Sequence, residues 1–408
     1  MAGEETQVRI VIAPGGFKES LSAEEVAAAI ARGVRRAVPD ASITTMPLID
    51  GGEGTARTLA AATGGRLVPH RVTGPTAAPV DAHYAILGGS GPRTAVVEMA
   101  AAAGLRLVPR DARDPGRTTT VGVGELIAHA LDAGAARILV GCGDSGTSDG
   151  GAGALQALGV RLLDASGREL PRGGAALALL DRIDVSGLDS RLARIEMVVA
   201  CNPFNVLCGP EGVARVYGPQ KGATPAQADA LDKALCRWAC VLERDLGPVG
   251  VDLHGAPGTG ASGGLGAGLA AIGGRLVPRF EVLLEHLDLD GVLAAADLVV
   301  TAEGAIDRQT SRGKIPAEVA RRAERHGKPV LLLAGAIGPD ARLVYGSGVD
   351  AYACILPRPM PMDEALAHGT EILEDGAERA LRLVLLGTAL TPEAEHRGPV
   401  RARTPKGA

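Results

Sequence analysis

The chain has 408 residues, 46% of them hydrophobic and 22% charged, enough for more than one core, with two α/β domains as the natural prior. A net charge of −5 and an aromatic content of 2% exclude a dedicated nucleic-acid binder, which would carry a basic face and base-stacking rings. No apolar run approaches the length that spans a bilayer, and Met1-Ala2-Gly3-Glu4-Glu5 has no signal-like apolar stretch, so a cytoplasmic location away from membranes is expected.

In chain order, Val8–Ala13 reads as a strand that opens through Pro14-Gly15-Gly16-Phe17-Lys18-Glu19-Ser20 into a helix from Ala23 to Val38. Ser22 and Glu25 form a capping box, and Val26, Ile30, Val34 and Val38 make an apolar stripe at helical spacing. Ile43–Leu48 is a second strand, followed by Ile49-Asp50-Gly51-Gly52-Glu53-Gly54-Thr55 and another helix. This alternation predicts a parallel sheet, with ligands outside the carboxyl ends of its strands. From about Gly65 the pattern is that of a mixed sheet, with strands at Leu67–Val72, Val80–Leu87 and Thr94–Met99 and a turn at Gly88–Pro92. A helix is expected within Thr118–Ala133, and strands at Arg137–Val140 and Glu196–Ala200.

After Val277 the alternation returns. A strand at Leu298–Thr301 leads into a turn at Ala302–Asp307, then come a helix at Pro316–His326 and strands at Val330–Ala334 and Asp350–Ile355. The expected organisation is a discontinuous α/β domain over residues 1–64 and 278–387, with a second α/β domain, 65–277, inserted. The Pro- and Arg-containing tail, 388–408, lacks periodicity and reads as disordered.

The most informative stretch is Gly141–Gly153, Gly-Cys-Gly-Asp-Ser-Gly-Thr-Ser-Asp-Gly-Gly-Ala-Gly, between a strand and a helical segment at Ala152–Leu158. Clustered glycines at a helix start expose backbone amides to an anion. Gly141, Gly143, Ser145, Gly150 and Gly151 are therefore expected to hold a phosphate-bearing cofactor. There is no Walker A loop, no Gly-x-Gly-x-x-Gly opening the first strand–helix unit, and no Gly-x-Ser-x-Gly strand-to-helix turn. What remains is a set of turns combining glycine, carboxylate and lysine: Lys18, Asp50 with Glu53, Asp144 with Asp149, Lys221, Glu303 with Asp307, and Lys314. Phosphoryl transfer uses that mixture, because cations hold phosphate oxygens, carboxylates hold Mg²⁺, and one carboxylate meets the acceptor hydroxyl.

On this reading Asp149, then Asp50, meets the acceptor hydroxyl, while Lys18, Lys221 and Lys314 steady negative charge. Asp144, Glu53, Glu303 and Asp307 are the expected metal ligands. The plainer alternatives are a helix cap for Asp149 and surface lysines. His70, His83, His129 and His254 look isolated. The six cysteines lack finger spacing, and although Cys236 and Cys240 are four apart, the absence of a nearby histidine favours core packing.

These turns resemble those of the glycerate kinase family with a flavodoxin-like fold, over about residues 8–385. The landmarks are Phe17-Lys18-Glu19-Ser20-Leu21-Ser22-Ala23, Pro47 to Thr55, Asp149-Gly150-Gly151-Ala152-Gly153, Gly218-Pro219-Gln220-Lys221-Gly222-Ala223, and Glu303-Gly304 with Ile306-Asp307 and Gly313-Lys314. The resemblance implies a two-domain ATP- and Mg²⁺-dependent kinase of a small hydroxylated acid, D-glycerate, with a homodimer among the open assemblies. The chain departs from the family pattern at three turns. Gly15 stands where the family has Asp, Asn202 stands where an Asp is usual, and Asp144 adds a carboxylate. Those changes raise two alternatives: a kinase of a different hydroxy acid, polyol or cyclitol, and a family member that only binds ligand.

Overall fold

The computed structural model describes residues 7–17, 20–247, 250–284 and 287–389. In chain order its strands are β1 (Arg9–Ile12), β2 (Ser42–Thr45), β3 (Arg66–Thr73), β4 (Pro79–Ile86), β5 (Thr94–Glu98), β6 (Arg137–Gly141) and β7 (Arg161–Leu163). They continue with β8 (Arg182–Asp184), β9 (Glu196–Cys201), β10 (Arg275–Pro278), β11 (Leu298–Ile306), β12 (Val330–Ile337) and β13 (Ala351–Cys354). The chain divides into two compact units, one comprising residues up to Leu48 and from Asp288 onward, the other Ile49–Leu287.

The first unit is an all-parallel sheet in the order β2-β1-β11-β12-β13. Counted within the unit, this is the 2-1-3-4-5 order of flavodoxin-like folds. Helices Ala23–Ala37 and Gly369–Ala389 cover one face, burying Val26, Ile30, Val34, Leu373 and Leu381 against Ile10, Ile12, Val300, Leu331 and Leu333. The expected capping box is present, with the Glu25 amide donating to Ser22 Oγ and the Ser22 amide to Glu25. β11 runs past its expected end: Glu303, Ala305 and Ile306 pair with Ala334, Ala336 and Ile337 of β12, so the expected turn at 302–307 is mostly strand. The last helix carries through Thr388 to Ala389, past the expected start of a disordered tail, and residues 390–408 lie outside the described residues.

The second unit is built on a six-stranded sheet, β10-β9-β6-β5-β4-β3, in which β10, β9, β6 and β5 are parallel and β4 and β3 are antiparallel. Helices Val121–Asp132, Ala152–Ala157 and Ala261–Ala271 contribute Leu126, Ile127, Ala154 and Leu265 to a core with Val97, Val140 and Val199. A separate core gathers around Trp238 of the long helix Pro225–Leu246.

The expected boundaries at 64/65 and 277/278 move to 48/49 and 287/288. Helix Thr55–Thr63 causes the first shift, because its Ala56, Leu59 and Ala60 pack with Val96 of β5, Leu139 of β6 and Val198 of β9. Val277, Val282 and Leu283 belong to the same cluster and carry the second boundary outward.

Candidate active site

Loop 141–153 follows β6 as expected, and the amides of its second half from Gly150 onward are taken up within the protein. The Gly150 amide donates to the Gly263 carbonyl at 2.9 Å, and the Gly151 and Gly153 amides donate to the Asp149 carboxylate at 3.1 and 3.2 Å. The Ala152 amide donates to the Asp149 carbonyl, and the Ala154 amide to Thr120 Oγ1. The helix that follows has six residues. The amides of Gly150 and Gly151, two of the five residues expected to form a cofactor cradle with Gly141, Gly143 and Ser145, thus point into the protein's own structure.

Close packing explains the glycines instead. A Cβ on Gly143 would lie 2.4 Å from the Gly52 nitrogen, so this residue lets two turns pass back to back. Gly150 and Gly151 have φ of +67° and +79°, a backbone region costly to residues with a Cβ, and Gly150 lies under the Trp238 ring.

Asp149 is fully buried. Burial pushes its carboxyl upward, while hydrogen bonds from Thr120 and the amides of Gly151 and Gly153 pull the other way. The Thr120 amide is 2.7 Å away and its hydroxyl 2.9 Å. An acceptor surrounded by donors joins the starts of helices Val121–Asp132 and Ala152–Ala157. That placement argues against the expected contact with an acceptor hydroxyl. Lys221 is likewise buried: its Nζ donates to Ser145 Oγ at 2.8 Å and to the Thr147 carbonyl at 2.6 Å, holding the loop from within. The hydroxyls of Thr147 and Ser148 are buried with no hydrogen-bond partner among the described residues.

Within the loop's first half, the less buried residues are Gly143 and Asp144. Asp144 has φ of +49°, unusual for a non-glycine residue, and its Oδ2 accepts the Glu53 amide at 3.2 Å. Glu53 pairs with Arg106 at 2.8 Å. In the same turn, Asp50 Oδ1 accepts the Gly52 amide, and Arg279 Nη1 donates to both the carbonyl and Oδ2 of Asp50, at 3.0 and 3.2 Å. Asn202, just past β9, turns its Oδ1 onto the Phe204 amide at 3.1 Å. Asp50, Glu53, Asp144, Asn202 and Arg279 thus belong to loops around the carboxyl ends of the parallel strands of the second unit, where such sheets bind ligands.

Arg279 and Glu98 are absent from the sequence reading. Arg279 follows β10 with no motif around it, and an arginine after a strand carries no local signal. Glu98 ends β5 and is buried, accepting the Ala56 amide at 3.1 Å at the start of helix Thr55–Thr63. Burial, with smaller contributions from Glu53 and Asp144, pushes its carboxyl up to about 7. A carboxyl raised above its unfolded value contributes stability that is complete below the unfolded pKa and is lost as pH rises through the folded one. The unfolding free energy should therefore fall between about pH 4.5 and 7, by on the order of 3 kcal/mol for this group alone. Glu98→Gln should flatten that slope in denaturant titrations across pH. Parallel curves for the two proteins would remove Glu98 as its source.

In the first unit, Lys314 Nζ lies 2.7 Å from Glu303 Oε1 and 4.0 Å from Asp307 Oδ1. Thr310 donates its hydroxyl to Glu303 Oε2, and the Gln309 amide caps Asp307 Oδ1. Lys314 is also the residue before helix Ile315–Arg325, preceded by Gly313 at φ +79°. The four expected metal ligands therefore fall in two sets, Glu303 with Asp307 in the first unit and Asp144 with Glu53 in the second. Lys18 lies outside the described residues. His70 is not isolated, since it stacks on His129 at 4.0 Å and on Tyr84 at 5.4 Å. Among the described residues no helix is long and apolar enough to cross a membrane.

Glycine, carboxylate and lysine turns at the strand ends of two α/β units are the mixture that phosphoryl transfer to small molecules uses. The model of the glycerate kinase family matches residues 10–385, and the chain belongs to that family. It is 48% identical over 368 residues to a glycerate kinase of Bacillus subtilis (strain 168), covering 90% of this chain and 95% of that one. It is 45% identical over 359 residues to a glycerate 2-kinase of Escherichia coli (strain K12), covering 88% and 93%. A crystal structure named for glycerate kinase 2 of Salmonella typhimurium LT2 superposes with a TM-score of 0.70 at 45% identity, covering 94% of this chain and all of that one.

Proposed function

We propose that the protein transfers the γ-phosphoryl group of ATP to a hydroxyl of glycerate. The observation that carries this reading is near full-length identity above 40% to several proteins named as glycerate kinases. Asp50 is the carboxylate best suited to orient the acceptor hydroxyl, because Arg279 and the Gly52 amide fix both its oxygens and Asp149 is enclosed. Lys314, at a glycine turn before a helix of eleven residues, is the cation best suited to phosphate oxygens.

Mg²⁺ fits the acidic set of the first unit. Glu303, Asp307 and Thr310 offer oxygen donors, the chemistry of a hard cation. Glu303 and Asp307 would hold the ion, which would supply positive charge to the transferring phosphoryl group. Lys314 balances those carboxylates in the free protein.

Purified protein with ATP and Mg²⁺ should form ADP in step with phosphoglycerate when given D-glycerate. Preference for a polyol, cyclitol or other hydroxy acid in the same panel would transfer the reading to the altered turns at Gly15, Asp144 and Asn202. Nucleotide binding without turnover of any acceptor would leave a ligand-binding protein.

A further inference from the structure

We propose that Cys208, Cys236, Cys240 and His254 form a metal site in the second unit, with the chemistry of a structural Zn²⁺ centre. The four residues come from three segments: the loop after β9, the helix Pro225–Leu246, and the loop containing residues 250–256. Sequence spacing shows only Cys236 and Cys240, one helical turn apart on one face. The fold supplies the rest. The sulfurs of Cys208 and Cys236 and a ring nitrogen of His254 all lie within 4.8 Å of one another, the one such grouping of three among the described residues. Cys240 Sγ lies 3.6 Å from His254 Nε2. A tetrahedral ion at ordinary Zn–S and Zn–N distances sets a sulfur and a nitrogen about 3.6 Å apart and two sulfurs about 3.8 Å apart. Cys240 stands outside the grouping of three, and rotation of its side chain toward them would complete a Cys₃His set.

The backbone beneath these ligands is already fixed. The Cys208 amide donates to the His254 carbonyl at 3.1 Å, so the two loops are joined beside the cluster. The Leu253 amide donates to Glu243 Oε1 at 3.1 Å, which seats the second loop on the helix, and the His254 amide donates to Asp252 Oδ1 at 2.9 Å within the loop. The Gly209 amide donates to Asp232 Oδ1 of the same helix. Glu243 Oε2, 3.9 Å from His254 Nε2, adds negative charge that favours a cation. Three thiols with one imidazole select soft or borderline ions over Mg²⁺. The bound ion ties the loop that begins at Asn202 to the long helix, and its binding free energy adds to the stability of this unit.

The test uses untagged full-length protein, reduced and stripped with a chelator, then titrated with Zn²⁺ against a chromophoric chelator and separately with Co²⁺. The expected result is uptake of about one ion per chain, cobalt absorption of a tetrahedral thiolate site, and a rise in melting temperature on adding Zn²⁺. All three should be lost in Cys236→Ser and in His254→Ala and kept in Cys354→Ser, with circular dichroism confirming that each variant is folded. The cobalt spectrum of the unaltered protein decides the matter even where a variant misfolds. Wild-type uptake no greater than that of Cys236→Ser, or a cobalt spectrum without thiolate charge transfer, overturns the proposal. So does a Cys208–Cys236 disulfide in non-reducing mass spectrometry whose reduction yields no zinc uptake.

Discussion

Asp149→Ala should lower the unfolding free energy by about 3–5 kcal/mol, since it strands the amides of Thr120, Gly151 and Gly153 in a fully buried site. For a unit of this size that is a drop in melting temperature of roughly 10 °C. Asp149→Asn should cost less, because an amide oxygen still accepts from some of those donors. Asp144 provides the contrast. It is half-buried in the first half of the same loop, and Asp144→Asn should alter turnover while leaving the melting temperature nearly unchanged. Calorimetry and steady-state kinetics on the three variants separate the two positions. An Asp149→Ala protein that melts like the wild type but does not turn over would return Asp149 to the reacting atoms.

Arg279→Ala should reduce kcat/KM for glycerate by about 100-fold, the scale of loss expected when a reacting group loses its positioning. The guanidinium is buried over the Phe280 ring at 4.9 Å and grips Asp50 at both its carbonyl and its carboxylate. Asp50→Ala should cost at least as much. If Arg279 works through Asp50, the double variant should be little worse than Asp50→Ala alone. Losses that multiply would mean the two residues act separately. A loss confined to KM for ATP would contradict an acceptor-side role for both.

Local chemistry made much of the fold legible. The Ser22–Glu25 box, the apolar stripe of the first long helix and the β-branched strands are signals within a few residues of one another, and they appear where expected. The unit boundary was not local. Helix Thr55–Thr63 belongs with β5, β6 and β9 because of what its alanines and Leu59 touch, not because of what precedes it in the chain.

The candidate site divides the same way. A glycine-rich acidic loop has one sequence signature whether its amides face a phosphate or its own carboxylate, and here Asp149 takes those of Gly151 and Gly153. Asp50 and its turn were visible, but Arg279 reaches Asp50 across 229 positions, and no spacing rule connects them. His254 escaped for a related reason: fourteen positions separate it from Cys240, and a loop rather than a helical turn closes that distance.

The five-stranded sheet also has a consequence for how the chain is made. Its first two strands leave the ribosome early, yet the central partner of β1 is β11, and the Thr301 hydroxyl that closes on the Ala13 carbonyl is 288 positions away. The whole of Ile49–Leu287 is synthesised in between. Translation therefore delivers one complete folding unit before the other has more than a strand pair and a helix to work with. The older segment must wait, partly paired, until the last third of the chain arrives to finish its sheet.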